Sequence, residues 1–217
     1  MKSGKARPKG EDAASRGNYH HGTLRDALIR ATDEILSERG AVGFTLREAA
    51  RRAGVSVAAP SHHFGSAAGL LTEVAIAGFD GLTKVLRDAA DTGMAPAARL
   101  RALGMGYVRF ALAHPGRFQL MFRHDLLLVD SDRLAIAGQA AFTELETSVR
   151  AYLAAADERA ADDVLRSTVL GAWSTVHGFA HLALDGKFMT IAQPRSLPDF
   201  VSDVLPGVLL AAWPDRK

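Results

Sequence analysis

Two groups of residues in this chain have the types and spacing to do chemistry. The first lies between Thr45 and His63. Arg47 carries a guanidinium fork that can bind a guanine through O6 and N7. Thr45 and Ser56 each precede a helix-forming run, where a hydroxyl caps exposed N–H groups and the helix N-terminus can hold a phosphate. Val57, Ala58 and Ala59 are small and apolar, suited to thymine methyls, whereas Ser61, His62 and His63 offer hydrogen bonds to phosphates or base edges. This is the chemistry of recognising duplex DNA. A metal site at His62 and His63 is disfavoured, because adjacent helical residues point in different directions and no third ligand is near.

The second group is His177, His181 and Asp185, whose i, i+4, i+8 spacing puts them on one helix face. Three readings stand open for it: a metal site, a buried hydrogen-bonded pair, or recognition of a polar group on a small molecule. Tyr107, Phe110, Phe118, Met121, Phe122, Phe142 and Trp173 read as a core that encloses a cavity. Pockets of this kind are mostly apolar with a few polar groups, so these seven together with His177 and His181 form the candidate effector pocket. After residue 90 there is no phosphate loop, no Gly-x-Ser-x-Gly and no His-Glu-x-x-His. No residue is assigned catalysis, and neither a metal nor a cofactor is expected.

The elements that must position these residues are all helical. No stretch alternates as a strand would. The first helix is predicted over about 23–39, opened by a Thr23/Asp26 capping box, with Leu24, Leu28, Ala31 and Ile35 inward. A second starts at Thr45, again with a capping box to Glu48, and stops at Gly54. A third runs from Val57 to about Phe64, capped by Ser56. A long fourth spans about 66–90. Beyond a Gly/Pro break at 93–96, helices are predicted over 97–113, after His114-Pro115-Gly116, over 132–155, over 162–184, and from Pro198 to about 212 with a kink at Pro206. Between the second and third helices, a small Ala50 permits close approach, Gly54 supplies a positive φ, and Val55 fills the corner.

Composition bounds the rest. The chain has 217 residues, 48% of them hydrophobic, enough for one large or two small domains. It has no cysteine, which excludes disulfides and thiolate metal sites and suits a reducing compartment. Met1 to Gly22 reads as a flexible basic arm rather than a secretory signal. The apolar run 204–213 is half of the ~20 residues needed to span a bilayer, so a cytoplasmic protein without membrane contact is expected. Residues 1–64 hold eleven Lys and Arg against seven Asp and Glu, while the remainder holds fifteen against seventeen. Positive charge gathered at one end is what a phosphate-binding module needs, although a solvated basic tail would look the same.

The text Gly43-Phe44-Thr45-Leu46-Arg47-Glu48-Ala49-Ala50, Ala53-Gly54-Val55-Ser56, His63-Phe64 and Leu70-Leu71 closely resembles the tetracycline-repressor (TetR) family of transcriptional regulators over residues 23–75. Ala49 stands where that family often has Ile, Pro60 where Leu is common, Ser61 where Tyr is common, and Ala67 where Lys is usual. Two habitual phosphate contacts therefore lack their usual side chains. Trp173, His177 and Gly178, with His114-Pro115-Gly116-Arg117-Phe118 and Met121-Phe122 before them, resemble one C-terminal domain type of the family. The resemblance implies an all-α protein: a helix-turn-helix DNA-binding domain at 23–68 behind the arm at 1–22, then a helical domain at 69–217 that binds a small effector. It also implies a homodimer through about 162–184 and 198–212, bound to double-stranded DNA at a near-palindromic operator and released by an unknown small molecule. The alternatives are a metal-binding or enzymatic helical protein using His177 and His181, a DNA-binding structural protein without an effector, and an activator in place of a repressor.

Overall fold

The computed structural model describes residues 12–90, 93–155, 161–193 and 196–215, with side chains from Leu24 onward. Ten α-helices follow in order among the described residues: α1 Asp12–Arg39, α2 Leu46–Ala53, α3 Ala59–Phe64, α4 Ala67–Ala89, α5 Pro96–Ala113, α6 Pro115–Met121, α7 Asp132–Ala154, α8 Asp162–Leu184, α9 Lys187–Ile191 and α10 Leu197–Ala212. Short 3-10 turns sit at Ala41–Gly43 and His124–Leu126. No strand occurs among the described residues, as the periodicity predicts.

The first helix begins at Asp12, not Thr23, so Thr23 lies inside it and opens nothing. No proline falls between Asp12 and Thr23, so no residue there lacks the N–H that the helical hydrogen-bond ladder needs. Of the arm expected at 1–22, residues 1–11 lie outside the described residues and 12–22 are the first turns of α1. The third helix is also shorter than predicted. It starts at Ala59, Val57 and Ala58 form a turn before it, and Ser56 makes no side-chain cap. The Ser56 carbonyl instead accepts from the Ala59 N–H at 3.0 Å. Pro60 falls in the first turn, where its missing N–H costs no helical bond. The short α9 has no counterpart in the predicted helices, and α10 continues through Pro206.

Two cores organise the chain. The smaller joins Leu28 and Ile35 of α1, Ala49 of α2 and Leu70 of α4, with Leu46, Val55 and Phe64 packed around them. The larger runs through α4 to α10 and includes Leu71, Phe118, Tyr107 and Trp213. Leu70 and Leu71, adjacent on α4, thus serve opposite cores. Gly54 ends α2 in the left-handed region at φ 68°, where a Cβ would cost about 1 kcal/mol or more. The Val55 N–H returns to the Ala50 carbonyl at 3.0 Å, which closes the corner.

The two cores meet at α6. A Cβ at Gly116 would lie 2.4 Å from the Leu36 carbonyl carbon and oxygen, so α6 rests on the α1 backbone itself. Beside it, Arg117 donates from Nε and Nη2 to the two carboxylate oxygens of Asp33, at 2.8 and 2.6 Å. A second link runs from Glu73 of α4, which accepts from Arg25 of α1 and from Arg133 of α7.

Gly116→Ala tests this seat. Helix propensity alone would make the substitution stabilising by about 0.8–1 kcal/mol. Backbone cannot swing aside as a side-chain tip can, so overpacking should prevail and stability should fall by roughly 1–3 kcal/mol. Chemical denaturation measures it, and a gain in stability would show that α6 does not bear on α1.

Candidate nucleic-acid interface and enclosed cavity

The residues singled out between Thr45 and His63 lie on or beside α2 and α3, which pack on the smaller core. Thr45, Arg47, Ser56, Val57, Ala58, Ser61 and His62 are exposed, and Ala59 and His63 are half-buried. Val57 is 62% exposed although apolar, and nothing in the fold covers it. Thr45 caps α2, its Oγ1 accepting from the Glu48 N–H at 3.2 Å. The reciprocal half of the expected capping box is absent, because the Glu48 carboxylate faces arginines instead.

That diversion sets the charge of the surface. Arg51 donates twice to Glu48, both at 2.8 Å, and Arg52 donates once to Glu48 at 2.9 Å and twice to Glu38 at 2.8 and 2.6 Å. The hydrogen bonds from Arg51 and then Arg52 hold the Glu48 carboxyl down to about 2. Three arginines stand on α2, but two are neutralised. Arg47 has no ion-pair partner among the described residues and is the one arginine of α2 left uncompensated. The structure leaves Arg47 exposed, as base recognition would need, and shows an acidic pairing of its neighbours that the sequence reading overlooked. The i, i+3 and i, i+4 spacing from Glu48 carries that signal.

Below the larger core's surface lies a cavity of about 420 Å³. Its walls come from α4 (Phe79, Leu82, Leu86), α5 (Leu100, Leu103, Gly104, Tyr107), the end of α6 (Met121, Phe122), α7 (Leu134 to Leu145) and α8 (Ala172, Trp173, Val176), with Trp213 closing one end. Five of the nine residues predicted for a pocket line it: Tyr107, Met121, Phe122, Phe142 and Trp173. The other four stand outside the lining. Phe118 is fully buried behind it, in ring contact with Tyr107, Phe122, His177 and His181. Phe110 is buried against His114. The aliphatic lining of α4 and α5 was missed because a cavity wall and a packed core share one periodicity. The exposed His124, Val129, Ala135 and Gln139 mark the mouth, between α7 and the loop after α6. Thr72 Oγ1 pins that loop to α4 by accepting from the Leu128 N–H at 2.9 Å.

The polar atoms of the wall form a chain. Trp173 Nε1–H donates to Tyr107 Oη at 3.4 Å, and Tyr107 Oη stands 2.7 Å from His177 Nδ1. Burial pushes the Tyr107 phenol above its usual value against the opposing pull of Trp173, so it stays protonated. Burial, with His181 alongside, pushes His177 down to about 4. A neutral imidazole accepting at Nδ1 from the phenol fits both shifts. The rings of His177 and His181 lie 4.5 Å apart. Of the readings open for this pair, the buried hydrogen-bonded pair is met only in part: both histidines are half-buried, and His177 bonds to Tyr107 rather than to His181. Among the described residues no three His, Asp or Glu side chains converge to hold a metal.

Comparison with known proteins agrees with this division. Residues 28–74 match the family described as bacterial regulatory proteins, tetR family, and residues 100–205 match the tetracyclin repressor-like C-terminal domain. A protein with unknown function from Rhodococcus sp. RHA1 is 33% identical, with a TM-score of 0.71 over 89% of this chain and 97% of that one. The TetR family transcriptional regulator PfmR from Thermus thermophilus shares the fold at 18% identity, TM-score 0.66, over 87% of this chain and 99% of its own. AibR, solved with isovaleryl coenzyme A and operator DNA, shares it at 14% identity, TM-score 0.64, over 89% and 100%. Comparison with curated proteins finds no match.

Two outcomes check this geometry. Arg47→Ala should cost about 1–3 kcal/mol of binding at one base-pair position and relax specificity there, whereas equal weakening on every DNA sequence would make Arg47 a phosphate contact. For His177, the folded chain refuses a proton that the unfolded chain accepts between pH 6.5 and about 4. Its contribution to stability is therefore complete above 6.5, declines as pH falls, and is gone below about 4. Denaturation across that window should show a smaller acid-induced loss in His177→Gln than in the unsubstituted chain. Equal losses would mean that another group takes up the proton.

Proposed function

Because this chain belongs to the TetR family of bacterial transcriptional regulators, we propose that it is a homodimeric repressor, released from a near-palindromic operator by a small molecule bound in its cavity. Residues 23–68 form the DNA-binding domain and 69–217 the effector and dimerisation domain. The observation that carries this reading is the mechanical link between cavity and DNA-facing module. Met121 and Phe122 line the cavity at one end of α6, while Gly116 and Arg117 hold the other end to α1.

A ligand pressing on Met121 or Phe122 cannot shift α6 without shifting α1, or else breaking the Asp33–Arg117 pair. The second link, Arg25–Glu73–Arg133, starts on α7 beside the cavity-lining Leu134 and also reaches α1. Release requires only that the ligand bind the DNA-incompetent arrangement more tightly than the competent one. AibR, a protein of the same fold seen with both a coenzyme A thioester and operator DNA, supports a regulator that holds both kinds of partner.

Dimerisation through α8 and α10 is supported by apolar side chains that the monomer leaves uncovered. Val164, Leu170 and Leu182 of α8 and Leu210 of α10 are exposed. Gly171 and Gly178 of α8 face open space, so packing within the chain does not require their smallness. A second helix could approach closely there. No described helix is long and apolar enough to cross a membrane, and access to DNA places the protein in the cytoplasm. Among the described residues no third ligand joins His177 and His181 to support the metal-binding alternative.

Selection of bound DNA from a random pool tests the proposal. A two-fold symmetric consensus is expected, with half-site centres ~34 Å apart or a multiple of that spacing. A bound pool sharing no sequence would make this a structural DNA-binding protein, and an asymmetric single site would remove the dimer.

A further inference from the structure

We propose that the cavity takes an uncharged, largely apolar molecule that carries an aromatic ring and a single hydrogen-bonding group. The inference names the class of effector and rests on the effector reading for its regulatory meaning.

Charge decides first. Among the described residues that line the cavity there is no Lys, Arg, Asp or Glu. His124 is exposed at the mouth, and Tyr107 is held in its neutral form. A carboxylate, phosphate or ammonium drawn inside would lose its water and meet no opposite charge, at a cost of several kcal/mol. Coenzyme-type ligands could place only an uncharged tail there.

Hydrogen-bonding capacity decides next. The Tyr107 hydrogen is committed to His177, and the Trp173 N–H is turned toward Tyr107. At this wall what remains is one lone pair on Tyr107 Oη and an indole N–H held only at 3.4 Å, while the other polar side chains of the lining are Trp213 at one end and His124 and Gln139 at the exposed mouth. The wall satisfies one hydroxyl or carbonyl, whereas a sugar or a peptide would bury several unpaired groups.

Wall chemistry and access give the rest. Phe79 and Phe122 meet edge-to-face at 5.8 Å and 81°, and Phe142 and Trp173 at 6.2 Å and 77°. A ligand ring extends the same edge-to-face packing. The volume of about 420 Å³ lies low in the roughly 300–1,000 Å³ range of small-molecule sites, enough for two or three fused or linked rings. At the mouth, Leu128 and Val129 are 48% and 57% exposed, an apolar threshold that receives an apolar guest.

A matched pair of fluorescent probes tests the class: N-phenyl-1-naphthylamine, which is neutral, and 8-anilinonaphthalene-1-sulfonate, which adds a sulfonate to the same rings. The full-length protein should enhance the neutral probe and bind the sulfonate at least about tenfold more weakly. Gly138→Leu provides the site control. A Cβ at Gly138 meets only the Phe79 ring, at 3.9 Å, so a larger side chain grows into the cavity. Leucine also replaces a helical glycine without loss of helix propensity. This variant should lose the neutral probe while keeping its thermal transition, and Ala135→Trp, at the exposed mouth, should do the same. Equal or tighter sulfonate binding overturns the proposal, as does neutral binding that survives both substitutions, or no binding of either probe. The selected operator DNA separates the two readings. A neutral probe that fills the cavity without changing operator affinity supports the ligand class and counts against the effector role. Release by the sulfonate alone overturns the ligand class and leaves the effector role standing.

Discussion

Helices approach to backbone contact only where a side chain is missing, and α6 makes that approach twice. Its own Gly116 sits on the carbonyl of Leu36 in α1, and its Met121 fills the space left by Gly78 of α4, where a Cβ would lie 2.7 Å from the sulfur. A seven-residue helix has little stability of its own. It persists here because glycine contacts at both ends and the Asp33–Arg117 pair hold it between two longer helices. Close packing has few intermediate positions, so a change at one end is transmitted or resisted as a whole. On the proposed reading, this packing is what couples the cavity wall to the DNA-facing module.

The surface that meets DNA follows a different logic. A count of basic residues suggests a broad cationic face, but Glu48 and Glu38 neutralise Arg51 and Arg52. These pairs brace α2 against the end of α1. They also leave electrostatic attraction to few groups, with Arg47 foremost. On the proposed reading, the small, exposed Val57 and Ala58 in the turn before α3 would let the backbone come close to a duplex, with shape and methyl contacts carrying more of the recognition than a row of free arginines would.

Inside, the same restraint governs polar groups. Trp173, Tyr107 and His177 satisfy one another in sequence, which allows three polar atoms to sit beside an otherwise apolar void. An imidazole in such a place stays neutral because charging it would strand a cation among aromatic rings. The histidines that look like ligands in the sequence therefore stand behind the cavity's lining, where His177 holds the Tyr107 phenol. Spacing along one helix puts two rings on a face, but only the opposing α5 supplies the phenol that fixes what one of them does.

Local patterns in the sequence determined an all-helical chain, the corner from Ala50 to Ser56 and the cap at Thr45. Each depends on residues within a turn or two of one another, where backbone sterics and side-chain reach act without help. Tertiary structure decided the rest. It turned Glu48 from a capping partner into a clamp for two arginines, one of which Glu38 of α1 also holds. It also sorted nine aromatic, Met and His candidates into five that line a cavity and four that lie outside its wall. An apolar side chain at helical spacing is inward in either case. Whether it meets another side chain or empty space depends on helices far away in sequence, and only their packing supplies that answer.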